Sequence, residues 1–351
     1  MDRSLLEELC RSDGGPLVLS LIIAAEGSTP RKPGAAMLSR GGVRVAGSVG
    51  GGPVEARTLE VAERLARGGD SALLRCDLEG ADAAGPEPIC GGWAEIAVLR
   101  VDDRAPFLAA RDRVAEGGSA LLVLEADRRG GSARLRAVLD GKGRPAWGAC
   151  EIDETAFMAA LGGAAARDAA GFVYEPVLAP ERLLVLGGGH VGKALASVAL
   201  GLGFEVTVAD PRPEFSDPAT LPAGAATIRA GFAEAVARLA PGSRDYAVVV
   251  SPGHRGDLEA VRALLGRDMR YIGLIGSRRK TRMVLEALVS EGFERGEVER
   301  LCSPVGLDIG AETPEEIAVA IAAELIAYRR RGPCLSYLHE ERLARRARPY
   351  V

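Results

Sequence analysis

Residues 184–195, LVLGGGHVGKAL, satisfy two phosphate-binding patterns at once. Gly187, Gly189 and Gly192 give the G-x-G-x-x-G of dinucleotide-binding folds, and the run from Gly187 to Lys193 gives the opening of the P-loop, G-x-x-x-x-G-K. The next residue separates the two readings. A P-loop needs Ser or Thr there, because that hydroxyl ligates Mg²⁺, and Ala194 has none. The dinucleotide pattern also finds its context. Its glycines follow an apolar strand, open a helix and precede an acid, Asp210, at the end of the next strand, FEVTVAD. A carboxylate at that offset would take a ribose 2′-hydroxyl, although Asp210 could also cap a helix after PRP. The stretch therefore predicts a Rossmann-like, doubly wound parallel sheet. It says nothing of hydride transfer, because the fold serves many ligands.

Working outward, strands at 182–186, 205–209, 246–251 and 271–275 alternate with helices at 190–202, 258–265 and 278–291. A closing helix begins in ETPEEIAVAIAAELIA, with Thr313 as N-cap, Pro314 in the first turn and Glu316 completing a capping box. Ligands of such sheets sit beyond the carboxyl ends of the strands. Four loops fall there. They are GGGHVGK, DPRPEF with Asp210 and Arg212, SPGHRGD with His254, and GSRRKT with Gly276, Ser277, Arg278 and Lys280. His190 reads equally as a ligand contact or a helix-start filler, while His254, behind Pro-Gly at a strand end, favours a site. Ser277 as N-cap puts Arg278, Arg279 and Lys280 in the first helical turn, where each exposed cation costs about 0.3–1 kcal/mol against the helix dipole. Solvated pairing with nearby acids would explain them. An anion held by helix N–H groups and a guanidinium explains them better.

The chain of 351 residues has room for two domains, read as 1–175 and 180–331, with an Arg-rich tail over 332–351. Pro176 and Pro180 bracket the linker. A net charge of -4 gives no bulk attraction for nucleic acid or an anionic membrane. The start, MDRSLLEELCRSDGG, is acidic where a signal peptide is basic, and the apolar run at 17–25 is too short to span a bilayer, so the default expectation is cytoplasmic. The six cysteines contain no C-x-x-C pair and the three histidines are dispersed. That fits free thiols and no preformed metal site. No internal repeat is evident.

Before residue 175 the pattern changes to short strands and glycine turns, an α/β domain with a mixed sheet. Strands are expected at 17–26, 36–39, 43–48, 72–76, 94–101, 120–125 and 133–139, a helix at 53–67 and a loop at 79–88. Gly50, Gly51 and Gly52 precede that helix, with Pro53 at its first position and Glu55 two residues on. They read as an anion cradle or, equally, as a tight turn. Upstream, EGSTPRKPGAAM holds Arg31 between two prolines that would stiffen its loop. Cys90, in ICGGW, is followed by glycines that leave its thiol approachable, though a lone cysteine is more often a small apolar residue.

Together these blocks resemble the XdhC/CoxI family of accessory proteins in xanthine dehydrogenase and carbon monoxide dehydrogenase maturation. The resemblance rests on EGSTPRKPGAAML, AGSVGGGPVEA and CGGWAEI in the first half. In the second it rests on VLGGGHVGKALA, VADPRPEF, YIGLIGSRRK and SPVGLDIGAETPEEIAVAIAAELIA. It implies a molybdenum-cofactor chaperone rather than a catalyst of its own reaction. Such a protein binds the molybdopterin, works with a cysteine desulfurase while sulfur replaces an oxo ligand on molybdenum, passes the cofactor to a hydroxylase client, and forms a homodimer. An anionic pterin with a terminal phosphate suits a glycine-lined, Arg-rimmed crevice. The family's cysteine after the glycine run is Pro53 here, which leaves Cys90 for any thiol role, and of the family's Thr-His pair only His254 remains. The competing readings of the same crevice are an NAD(P)-dependent oxidoreductase, with His254 as its one candidate proton carrier, and a nucleotide-sensing module.

Overall fold

The structure is a computed structural model, which describes Met1 and residues 3–11, 15–69, 71–77 and 91–331. Cys90, the expected loop at 79–88 and the tail at 332–351 lie outside the described residues. The chain divides into two compact units, Met1–Ala179 and Pro180–Val351.

The first unit runs α1 (Arg3–Cys10), β1 (Leu17–Gly27), β2 (Ala36–Arg40), β3 (Val43–Gly47), α2 (Gly52–Arg67), β4 (Ser71–Asp77) and β5 (Gly92–Val101). It continues with α3 (Ala105–Ala115), β6 (Ser119–Asp127), β7 (Ser132–Asp140), β8 (Pro145–Gly148), α4 (Glu154–Leu161), β9 (Ala166–Arg167) and β10 (Phe172–Leu178). The expected mixed sheet resolves into two five-stranded sheets, ordered β3-β2-β1-β5-β4 and β8-β7-β6-β10-β9. All their pairings are antiparallel.

Strand β1 shows why the layers stack as they do. Its run LVLSLII is buried throughout, which an antiparallel strand shows only when both faces are covered. Leu17, Leu19 and Leu21 point into a central core shared with Leu122, Leu124, Val138 and Val177 of the second sheet. Val18 and Ile22 point the other way, onto Val54, Val61 and Leu65 of α2. The second sheet mirrors this: Leu121 and Val123 turn outward onto Phe157 and Ala160 of α4. The result is helix, sheet, sheet, helix, with α1 and α3 contributing to the central core.

Adding five to each strand number of the first sheet gives the second, and each sheet carries a helix between its third and fourth strands. This is an internal repeat, contrary to the expectation from sequence. Apolar alternation is common to most strands, and the connecting segments differ, residues 28–35 between β1 and β2 against 128–131 between β6 and β7. The boundary also moves. Pro176 belongs to β10, opposite Leu121 of β6, not to a linker. Its missing N–H is harmless because β9 pairs only with Val173 and Tyr174, leaving Pro176 at an open edge. The Pro176 carbonyl there accepts from the Met1 ammonium at 3.1 Å.

The second unit runs β11 (Arg182–Leu186), α5 (His190–Gly201), β12 (Glu205–Ala209), β13 (Ala226–Ile228), α6 (Phe232–Leu239), β14 (Tyr246–Val249) and α7 (His254–Leu265). Then come β15 (Tyr271–Leu274), α8 (Arg278–Ser290), α9 (Arg295–Glu299), β16 (Leu301–Cys302) and α10 (Pro314–Arg331). Six parallel strands stand in the order β13-β12-β11-β14-β15-β16, the Rossmann arrangement. Alternate residues of β11 feed separate cores, Leu184 and Leu186 one, Leu183 and Val185 the other, so helices cover both faces. The expected capping box starts α10: Glu316 N–H donates to Thr313 Oγ1 at 3.2 Å, and the Glu316 carboxylate accepts from Thr313 N–H at 3.0 Å. Strand β13 and helix α6 were not expected from the sequence, and α7 begins earlier than expected. Among the described residues no helix is long and apolar enough to cross a membrane.

Candidate functional site

The order of the strands reverses beside β11, and the loop Gly187–Gly189 emerges there. Its glycines divide by cause. A Cβ on Gly187, whose φ is +123°, would come 2.6 Å from the Val250 carbonyl oxygen. One on Gly188 would meet the Phe215 carbonyl oxygen at 1.9 Å, and one on Gly192 the Gly187 carbonyl oxygen at 1.9 Å. These three positions serve the packing of the chain on itself. A Cβ on Gly189, the residue preceding α5, would meet nothing within 4 Å. Gly189 alone leaves open space where a ligand could approach. His190 beside it is exposed.

Asp210 lies at the end of β12 with 0% exposure. Its carboxylate accepts from Gly188 N–H at 2.9 Å, Arg212 N–H at 3.0 Å, Arg212 Nε at 2.9 Å and Arg212 Nη2 at 2.8 Å. Four donors fill the acceptor capacity of a carboxylate, so no position remains for a ribose hydroxyl. Burial opposes the charge on Asp210, and the Arg212 and backbone hydrogen bonds outweigh it, holding the carboxyl below its ordinary range. The Arg212 guanidinium stacks 3.9 Å from the centre of the Phe215 ring. Lys193 stands on the same ring at 5.9 Å.

A second cluster joins the ends of β14 and β15. Ser251 Oγ donates to Oδ1 of the fully buried Asp257 at 2.7 Å. Lys280 Nζ lies 2.5 Å from Oδ2, an ion pair by distance although not aligned as a hydrogen bond. Gly276 makes room for the Lys280 stem, its missing Cβ falling 3.0 Å from Lys280 Cδ. Ser277 caps α8, accepting from Lys280 N–H. Lys280 thus neutralises a buried acid of its own chain, and Ser251 and Asp257 are members that no local spacing in the sequence reveals. The backbone of His254 opens α7 and that of Arg278 opens α8. Their side chains lie outside the described residues.

This pair can be tested by charge removal. Lys280→Met strands a buried carboxylate and should cost about 3 kcal/mol, as breaking one side of a buried pair does. Asp257→Asn combined with Lys280→Met should recover most of that loss in chemical denaturation, because neither charge is left alone. Additive losses would show that the two residues are not coupled.

In the first unit three blocks meet at one end of the first sheet. Ser28 N–H donates to the Gly91 carbonyl at 2.7 Å, which fixes the residues after Cys90 against the Arg31 loop. A Cβ on Gly50 would touch Pro30 at 3.1 Å and Arg31 Cγ at 3.9 Å, so the two loops abut. Arg31 is exposed. Helix α2 starts at Gly52, one residue earlier than expected, and Gly50, Gly51 and Gly52 all lie in the positive-φ region. Glu55 folds back over this start, accepting from Ser48 Oγ at 2.6 Å and Gly51 N–H at 3.3 Å. The expected anion cradle therefore holds the chain's own carboxylate. Among the described residues no group of three or more His, Cys, Asp or Glu is placed to hold a metal ion.

The XdhC Rossmann domain matches residues 183–325, and the XdhC and CoxI family matches residues 10–77. The chain belongs to the XdhC and CoxI family. Among relatives of this XdhC-type chain, a probable xanthine dehydrogenase subunit of Bacillus subtilis is 28% identical over 322 residues, 90% of this chain and 93% of that one. The uncharacterized protein YqeB of Escherichia coli is 35% identical over 153 residues, 43% of this chain but only 28% of that protein's length. Among solved structures, a xanthine dehydrogenase from Bacillus halodurans superposes with a TM-score of 0.79 at 26% identity, covering 95% of this chain and 97% of that one. The XdhC-type fold thus extends over both units.

Proposed function

We propose that the protein is an accessory factor in xanthine dehydrogenase maturation, one that carries the molybdenum cofactor as cargo in the crevice of its Rossmann unit. The supporting observation is the anion-receptive corner of that crevice, where Gly189 opens on empty space and Arg212 is held beside the glycine loop. The residues present fit a phosphate-bearing pterin. Backbone N–H groups at the start of α5 and a guanidinium suit the phosphate.

In this reading the protein works as a homodimer, a cysteine desulfurase supplies the sulfur, and a xanthine dehydrogenase-type hydroxylase receives the finished cofactor. Its own residues bind and orient; none is assigned a catalytic step. The NAD-dependent form of the oxidoreductase alternative draws less support, since the acid that would seat an unmodified ribose is saturated by Arg212 and the Gly188 N–H. Protein purified from a cofactor-producing host should release the oxidised fluorescent pterin on denaturation at close to one per occupied site. Preparations free of pterin, together with unchanged hydroxylase activity in a deletion strain, would overturn the proposal.

A further inference from the structure

We infer that Arg212 is a specificity residue, one that makes the Rossmann crevice select a phosphomonoester over a free hydroxyl on its ligand. The inference rests on the reading of this crevice as the ligand site. It does not depend on whether the phosphate belongs to a pterin or to the 2′ position of an adenine dinucleotide.

In dinucleotide sites an acid at the position of Asp210 accepts hydrogen bonds from a ribose diol, and a nearby arginine instead accommodates a 2′-phosphate. Here the acid is present but filled, with all four donors contributed by its own chain. The position that would recognise a hydroxyl is presented to a ligand as a guanidinium. Arg212 spends Nε and Nη2 on Asp210, whereas Nη1 has no hydrogen-bond partner among the described residues. The side chain remains 36% exposed.

Three features fix that donor in place. The bidentate contact sets the plane of the guanidinium. The Phe215 ring covers one of its faces at 3.9 Å. The loop that carries both residues is folded onto the glycine loop, with the Phe215 carbonyl against Gly188 so closely that no Cβ would fit. Swinging Arg212 away would strand the buried Asp210 carboxylate and uncover the Phe215 ring. Lys193, on the same ring and half-exposed, has no carboxylate partner among the described residues and adds a second cation. Glu214, the other acid acting on Arg212, is itself exposed. The other face of the guanidinium suits stacking by a flat heterocycle, a geometry shared by pterin and adenine.

The test compares matched pairs by titration calorimetry on the full chain. One pair is NADP⁺ and NAD⁺; the other is the oxidised phosphorylated pterin and its phosphatase-treated form. The expected result is at least tenfold tighter binding of the phosphorylated member in one pair or both, and the responding pair names the source of the phosphate. Asp210→Asn combined with Arg212→Ala, which strands no buried charge, should bring that ratio close to one. Lys193→Met should lower it several-fold and keep the far-UV spectrum of the parent. Equal affinity within both pairs, a preference for the unphosphorylated member, or no binding of any of the four at millimolar concentration would overturn the inference. Selectivity confined to the dinucleotide pair would leave it standing while removing the pterin from this crevice.

Discussion

Valine at position 192 is expected to unfold the Rossmann unit. The first carbon of the new side chain would fall 1.9 Å from the Gly187 carbonyl oxygen and 3.4 Å from Val185. The obstacle is backbone at the start of the same motif, so α5 would have to lift off β11. Overpacked cores lose about 1–3 kcal/mol when side chains can adjust, and here they cannot, so the loss should exceed ~3 kcal/mol. Gly189→Val is the matching control. Gly189 has an extended backbone, with φ at −67°, and open space around it, so the cost should be about 1 kcal/mol from poorer capping. Circular dichroism and amide hydrogen exchange should show the Rossmann strands unprotected in Gly192→Val and protected in Gly189→Val. Pterin occupancy should fall in both. Intact strands in Gly192→Val would contradict the close approach of helix and loop.

Glu95→Gln should produce the largest single loss in the first unit. Glu95 sits in β5 with 3% exposure and accepts from Arg128 at 2.8 and 3.0 Å and from Arg167 at 2.9 Å. Burial opposes its charge, and the two arginines outweigh that, holding the carboxyl below its ordinary range. Arg128 is 56% exposed and returns to water easily, while Arg167 is only 23% exposed. The cost should therefore sit near the lower end of the range for broken buried pairs, about 3 kcal/mol at neutral pH. The sign with pH follows from linkage. A carboxyl with a depressed folded pKa stabilises above its unfolded value of about 4.3, and the stabilisation is lost as pH falls through the lower folded value. Wild type and Glu95→Gln should thus converge in strongly acidic urea titrations. Both tryptophans, Trp93 and Trp147, lie in this unit, so their fluorescence follows it alone. A difference that stayed constant from neutral to acidic pH would show that charge is not what Glu95 contributes.

The Rossmann unit was legible because its fingerprint fixes residues at set offsets along the chain. Glycines, strand end and acid all lie within one β-α-β span, where local spacing reports on space. The sequence could not show how Asp210 is used, because that depends on the Arg212 side chain folding back onto its own turn. The partner of Lys280 was hidden for another reason: the sequence marks Lys280 for a bound anion, whereas it meets Asp257 of a separate loop once β14 and β15 pair. The place of Lys193 beside Phe215 depends on how the DPRPEF loop folds onto α5, which no spacing within the glycine motif reports. In the first unit β1 was clear from its apolar run, whereas α3, α4 and β10 were not. Those elements are short and owe their stability to packing, α3 and β10 in the central core and α4 against the outer face of the second sheet.

The repeated strand order of the first unit bears on how that unit holds together. Each half offers one apolar sheet face to the other, as two protomers of a dimer would. The peptide connection through α3 makes their meeting intramolecular, governed by an effective concentration and not by how much protein is present. Its integrity should therefore survive dilution. Substitutions in one half should be felt by the other through the shared face, as mutations at a dimer interface are felt on both sides.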